Sequence, residues 1–205
     1  MKAILGKKVG MTSIFDAAGK NIACTVIEAG PCVITQVKTV ATDGYNALQL
    51  GFGNKKEKST SNGAKGHFKQ ANTAPKTYVH EIRNGEMQKA LGEVVDTSIF
   101  AEGEKVNIIS KVKGRGFQGV VKRHGFSGVG QATHGQHDRS RAPGSLGNSS
   151  DASRVMKGMR MAGRMGNNRV KIKNLKIVKI FAEQNLIVIT GAIPGSKGTF
   201  VVIEK

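Results

Sequence analysis

The chain of 205 residues has no Trp, only two Tyr, two Cys and four Pro, and 14 acidic residues against 32 Lys and Arg. Each shortage excludes something. Cys24 and Cys32 cannot build a disulfide framework, which needs more cysteines and a secretory context. Both lie in apolar, β-like runs and are expected as buried small hydrophobes. No run approaches the roughly 18 apolar residues of a membrane span, and Gly6-Lys7-Lys8 interrupts the N-terminal apolar stretch short of signal length. A reduced, cytoplasmic setting is expected. The shortage of acids leaves a net charge of +18 at pH 7. A compact neutral enzyme does not carry such a charge, because unneutralised cations repel one another. The usual resolution is a polyanion, either nucleic acid or an acidic membrane surface.

What is present is glycine and unevenly placed charge. Gly supplies 27 of the 205 residues, against an average of about 7 %. Residues 111–171 hold 13 Lys and Arg opposed only by Asp138 and Asp151, so most of the charge sits in 61 residues. Within that segment, residues 125–168 have Val129, Leu146 and Val155 as their only large aliphatic residues besides the methionines. They cannot bury enough apolar surface to offset their own ordering entropy. A stretch this long without regular structure points to a functional segment that orders against a partner. Run out as a hairpin with arms of about 22 residues, it would reach at most roughly 70 Å.

The flanking regions read as short strands. Ala23–Ile27 and Cys32–Val37 are β-branched runs separated by Gly30-Pro31 and are expected to pair as a hairpin. Tyr45–Leu50 alternates after the Asp43-Gly44 turn signal, and Glu104–Ile109 is a further strand. Val170–Ile177 alternates with period two, with one apolar and one Lys-rich face. Asn185–Thr190 and Thr199–Ile203 flank the Gly-rich turn 191–198. Many short strands with Gly-rich turns predict a mainly β fold, a closed β-barrel. Its body is expected from residues 1–53, 101–124 and 169–205. Residues 54–100 are expected as a basic excursion (Lys55, Lys56, Lys58, Lys65, His67 and Lys69) with a small inserted subdomain. Residues 125–168 form the extended basic loop.

Several motifs invite chemistry and lack the context for it. Gly114-Arg115-Gly116-Phe117-Gln118-Gly119 spells a dinucleotide fingerprint, but a βαβ unit with a full helix must follow, and only Val120 to His124 precede Gly125. The better reading is a Gly-rich turn whose backbone approaches phosphates, flanked by Lys113, Arg115, Lys122 and Arg123. His134-x-x-His137 has ligand-like spacing, but His124, His134 and His137 have no Cys or Glu beside them to complete a zinc set. No metal and no cofactor are expected; phosphate hydrogen bonding or base stacking suits exposed His in such a loop. Ser145, Ser149 and Ser150 lack the rigid turn and acid of a serine nucleophile. Arg154, Lys157, Arg160 and Arg164 recur every three or four residues, but Gly158, Gly163 and Gly166 oppose a stable helix. If ten such cations touch phosphate, log K falls by roughly 7–9 per log unit of salt. A free-standing single-strand binder would rely on aromatic platforms, and the basic segment has only Phe117 and Phe126.

Together these runs resemble the bacterial ribosomal protein L3 family. The resemblance is carried by the run Lys113 to Arg123, by Thr133-His134-Gly135, by Arg141 to Gly147 and by Lys157 to Gly163. Leu5 to Thr12 and Gly191 to Gly195 extend it over essentially the whole chain. The resemblance implies a barrel of the translation-protein type and a non-enzymatic, ribosome-bound constituent of the large subunit. It implies binding to 23S rRNA, a role in early assembly, and neighbours among large-subunit proteins such as L14 and L19. No membrane and no small-molecule substrate are implied. By position, Lys113, Arg115, Lys122 and Arg123 stand at the loop's root, His134, His137, Arg139 and Arg141 line its path, and His124 is expected among the rRNA-binding residues. Gly144, Ser145, Gly147, Asn148, Ser149 and Ser150 belong to the tip, nearest the peptidyl transferase centre. Arg154, Lys157, Arg160, Arg164 and Arg169 return along the other side, and Lys7 and Lys8 add a basic patch. Two departures stand out. Val112 occupies a position that is usually Ser or Thr, and Asn148-Ser149-Ser150 contains no Gln, so no glutamine methylation is expected at the tip.

Overall fold

The computed structural model describes residues 2–16, 18–83, 89–130, 134–147, 151 and 153–205. In chain order the first strands are β1 (Ala3–Phe15), β2 (Asn21–Ala29), β3 (Cys32–Lys38), β4 (Ala47–Asn54), β5 (Lys76–Arg83) and β6 (Val94–Val95). They are followed by β7 (Lys105–Lys111), β8 (Phe117–Gln118), β9 (Gly163–Arg164), β10 (Arg169–Phe181), β11 (Leu186–Thr190) and β12 (Phe200–Glu204). Three short helices intervene: α1 (Val40–Asp43), α2 (Asn62–Gln70) and α3 (Val120–His124). The chain divides into a larger unit, residues 1–112 with 169–205, and a smaller one, residues 113–168.

Six strands of the larger unit close into a barrel in the order β1-β12-β7-β10-β11-β2, every neighbouring pair antiparallel. Closure leaves no open edge. The interior is filled by β-branched residues whose alternation the sequence displays: Ile4, Ile27, Ile108, Ile177, Ile187, Ile189 and Ile203 are all fully buried. Each contributes about 1.5–3 kcal/mol relative to exposure. Strand β10 shows how the pattern is kept over 13 residues. Its apolar alternation, Val170 and Ile172, changes phase at Leu175 and Ile177. The register slips between Ile172 and Leu175, and Asn174 takes a positive φ of 60° there. The extra residue restores the apolar face to the interior. At the strand's start Arg169 pairs in register with Lys111 of β7.

A second sheet, ordered β5-β4-β3-β6, shares one apolar core with the barrel. It supplies Ile34, Leu50, Phe52, Ile82 and Val95. Phe200 of the barrel stacks on Tyr78 at 4.8 Å and meets Phe52 edge-on at 6.2 Å. Burial pushes the Cys32 thiol up to about 12, and its Sγ lies 3.4 Å from the Leu5 carbonyl oxygen that accepts from it. Hydrogen bonds with Tyr45 and then Glu81 hold the Lys38 ammonium above its usual range.

This arrangement corrects several expectations. The runs around Cys24 and Cys32 do not pair with each other. β2 is already flanked by β1 and β11, so no edge remains for β3, which pairs β4 and β6 instead. Gly30-Pro31 is therefore a crossing between sheets. Residues 32–53, expected in the barrel body, lie largely in the second sheet. The polar stretch 54–76 contains helix α2, whose single buried residue, Phe68, anchors it. His67 Nε2 lies 2.7 Å from Gln49 Oε1. One apolar anchor in a nine-residue helix that also holds Gly63 and Gly66 gives no readable period. Residues 113–124, assigned to the barrel from sequence, group with the smaller unit.

Candidate nucleic-acid interface

The smaller unit begins as a two-stranded ribbon. β8 pairs β9 with Phe117 opposite Arg164 and Gln118 opposite Gly163. The ladder is extended by Arg115 N–H donating to the Met165 carbonyl and Met165 N–H donating to that of Gly116, both at 2.9 Å. Gly166 has φ +74°, and a Cβ there would lie 2.2 Å from the Lys113 carbonyl oxygen. No larger residue fits so close an approach. The Gly-rich run then enters α3, five residues long, with Val120 buried and Gly125 closing its C-terminus in a left-handed conformation. This helix is too short for the dinucleotide motif.

Beyond α3 the chain folds back on itself. Arg123 Nη1 donates to the Met161 carbonyl at 2.6 Å, and His124 Nε2 lies 3.1 Å from the same oxygen. Gly128, with φ +69°, packs against the Ser140 backbone, where a Cβ would meet the carbonyl oxygen at 2.0 Å. A single 3-10 turn spans His137–Arg139. An open cleft of about 730 Å³ lies here, lined among others by Phe126, Val129, Arg139 and Pro143. The run Arg154 to Met165 forms no helix, in keeping with its glycines.

The charged side chains face outward. Lys113, Arg115, Lys122, His134, His137, Arg139, Arg141, Arg154, Lys157, Arg160 and Arg164 are all exposed. The ion pairs Lys38–Glu81 (3.0 Å), Arg83–Glu81 (3.3 Å), Lys89–Glu93, Lys171–Glu204 and Lys205–Glu104 all belong to the larger unit. Among the described residues of 113–168, no Lys or Arg is paired with a carboxylate. Ten cations against two aspartates in 56 residues leave a positive field that attracts polyanions. Among the described residues no three His, Cys, Asp or Glu gather as a metal set, and no helix is long and apolar enough to cross a membrane.

Three predicted contact residues are placed otherwise. Lys8 is 8 % exposed. Alternation along β1 puts it on the face of Ile4, and its Nζ donates to the carbonyls of Ile193 (2.6 Å) and Gly195 (3.2 Å). It staples the turn between β11 and β12. Arg123 and His124 are half-buried and already engaged with Met161. By contrast Lys7 and Arg169 are exposed, as are Gly144, Ser145 and Gly147 of the tip. Asn148, Ser149 and Ser150 lie outside the described residues. Lys173, Lys176 and Lys179 are also exposed on β10. The first two belong to the Lys-rich face that the sequence displays over Val170–Ile177, and Lys179 follows a second register shift.

Comparison with known proteins agrees with this picture. Residues 78–190 match the family model described as ribosomal protein L3. Over 203 residues the chain is 54 % identical to the large ribosomal subunit protein uL3 of Salinibacter ruber, covering 98 % of both chains. The chain therefore belongs to the ribosomal protein L3 family, whose members are structural proteins of the ribosome and not enzymes.

Proposed function

We propose that the protein is built into the large ribosomal subunit by binding 23S rRNA and that it supports early subunit assembly. On this reading residues 125–168 run between rRNA helices toward the peptidyl transferase centre. Gly144, Ser145, Gly147, Asn148, Ser149 and Ser150 form the end nearest that centre and contribute shape without chemistry. The observation that carries the reading is the exposed, unpaired cation set of the smaller unit: Lys113, Arg115, Lys122, Arg139, Arg141, Arg154, Lys157, Arg160 and Arg164. Lys7 and Arg169 add contacts from the larger unit. Lys8 is left out of the interface, since its ammonium is committed to backbone carbonyls. Neighbours among large-subunit proteins, L14 and L19 in particular, follow from the family resemblance. Cross-linking within assembled subunits reads those contacts.

The test is the salt dependence of binding to a 23S rRNA transcript. Replacing Arg139, Arg141, Arg154 and Arg160 together by Gln is expected to lower the slope of log K against log salt by roughly 3–4. The thermal midpoint should stay unchanged. A slope equal to that of the unaltered chain defeats the reading.

A further inference from the structure

Phe117 does not fit a segment defined by charge. It is 77 % exposed, more than any other large hydrophobic residue described in the chain. An exposed phenyl ring in water needs a reason, and this one is held with care. Its backbone lies in the β8–β9 ladder, and hydrogen bonds from Arg115 and Met165 stiffen the ribbon beside it. The ring is thus presented on a rigid support, so covering it costs little backbone entropy. Directly opposite in register stands Arg164, and side chains at opposed positions of an antiparallel pair emerge on the same face. A bare aromatic face and an exposed guanidinium therefore share one side of the ribbon. The other phenyl ring of the segment, Phe126, is half-buried, with its centroid 5.9 Å from that of His124.

We propose that Phe117 is a stacking site for one unpaired base of the ribosomal RNA, with Arg164 neutralising a phosphate beside it. The inference rests on the RNA-binding reading above and adds a contact of different physics. Charge complementarity chooses the occupant: a protein partner would cover the ring with aliphatic side chains, but such a surface would have to desolvate Arg164 without a counter-charge, whereas a nucleotide carries both the π-face and the anion. Stacking is tolerant of base identity because every base has a π-face, so no sequence preference is assigned.

The chain has no Trp, so Phe117→Trp places a single reporter at the site. Titrating that variant with 23S rRNA transcript should quench its emission in step with binding. Phe117→Leu keeps the apolar bulk and loses the ring. Its Kd should rise roughly 5- to 150-fold with the salt slope unchanged, while Phe117→Tyr should bind like the parent chain. Thermal midpoints of all three should match the parent's, because the ring is outside the core. The proposal is overturned if the Trp variant binds with its emission unquenched, or if Phe117→Leu binds as tightly as the parent. Emission unquenched on naked rRNA but shielded from acrylamide in assembled subunits would mean that a protein neighbour covers the site, and it overturns the proposal too. Absence of any binding by the parent chain would bring down the RNA-binding reading itself, a distinct result.

Discussion

Among the described residues, 1–112 with 169–205 hold almost every buried aliphatic side chain and all the ion pairs, whereas Val120 alone is buried in 113–168. The first region gains its stability by removing isoleucines from water and by matching each barrel strand with two neighbours. The second has backbone hydrogen bonds, glycines that allow close approach, and cations that repel one another. Hydrophobic burial falls well short of offsetting conformational entropy in such a segment. The contrast teaches that one chain can hold a region whose fold is its own property and another whose stability depends on what surrounds it.

The contrast breaks most visibly if the smaller region is removed. A chain lacking residues 130–165 should lose several orders of magnitude in affinity for 23S rRNA at about 0.1 M salt, together with most of its salt slope. Its remaining strands should melt within a few degrees of the parent. Unchanged affinity by filter binding would erase the distinction. Next in size, Ile108→Ala should cost about 2–5 kcal/mol in chemical denaturation, while Met156→Ala in the exposed segment should change stability by less than about 0.5 kcal/mol. Equal costs would mean that the two regions are packed alike.

A finer test uses adjacent lysines. Lys8→Met leaves the Ile193 and Gly195 carbonyls without their donor and should cost about 1–3 kcal/mol with the salt slope intact. Lys7→Met should leave stability alone and lower the slope by about 1. The reverse pattern would return Lys8 to the interface. The smallest effect concerns the thiols. Cys32 is raised to about 12 by burial, and Cys24 is raised for the same reason. The thiolate is the reactive form, so neither should be alkylated by iodoacetamide at pH 8 in the native protein, and both should react after unfolding. Prompt native labelling of Cys32 would show that the core around it opens.

Much of this was legible in the sequence, for identifiable reasons. Period-two alternation announced β10, and even its change of phase at Lys173-Asn174 marks the bulge. The concentration of cations between 111 and 171 and the scarcity of aliphatics between 125 and 168 announced the exposed segment. Other features depend on partners distant in the chain. Nothing local says that β2 and β3 part company at Gly30-Pro31, because that is decided by β11, more than 150 residues later. Phe68 as the sole anchor of α2 becomes visible only once the sheet beneath it exists. Arg123 and His124 read as phosphate ligands until the carbonyl of Met161 is brought to them. Lys8 is the instructive case: its burial on the Ile4 face follows from alternation, while its charge argued for solvent.

The register pair Lys111–Arg169 has a consequence for how such a molecule can change. Both exits of the intervening stretch are held side by side by a closed sheet, like the two ends of a thread in a clasp. The entropy of closing a loop grows only logarithmically, about 0.6 kcal/mol for each doubling of length. Lengthening, trimming or replacing what hangs from that clasp therefore scarcely taxes the sheet, and the distance it spans is free to follow the architecture it serves.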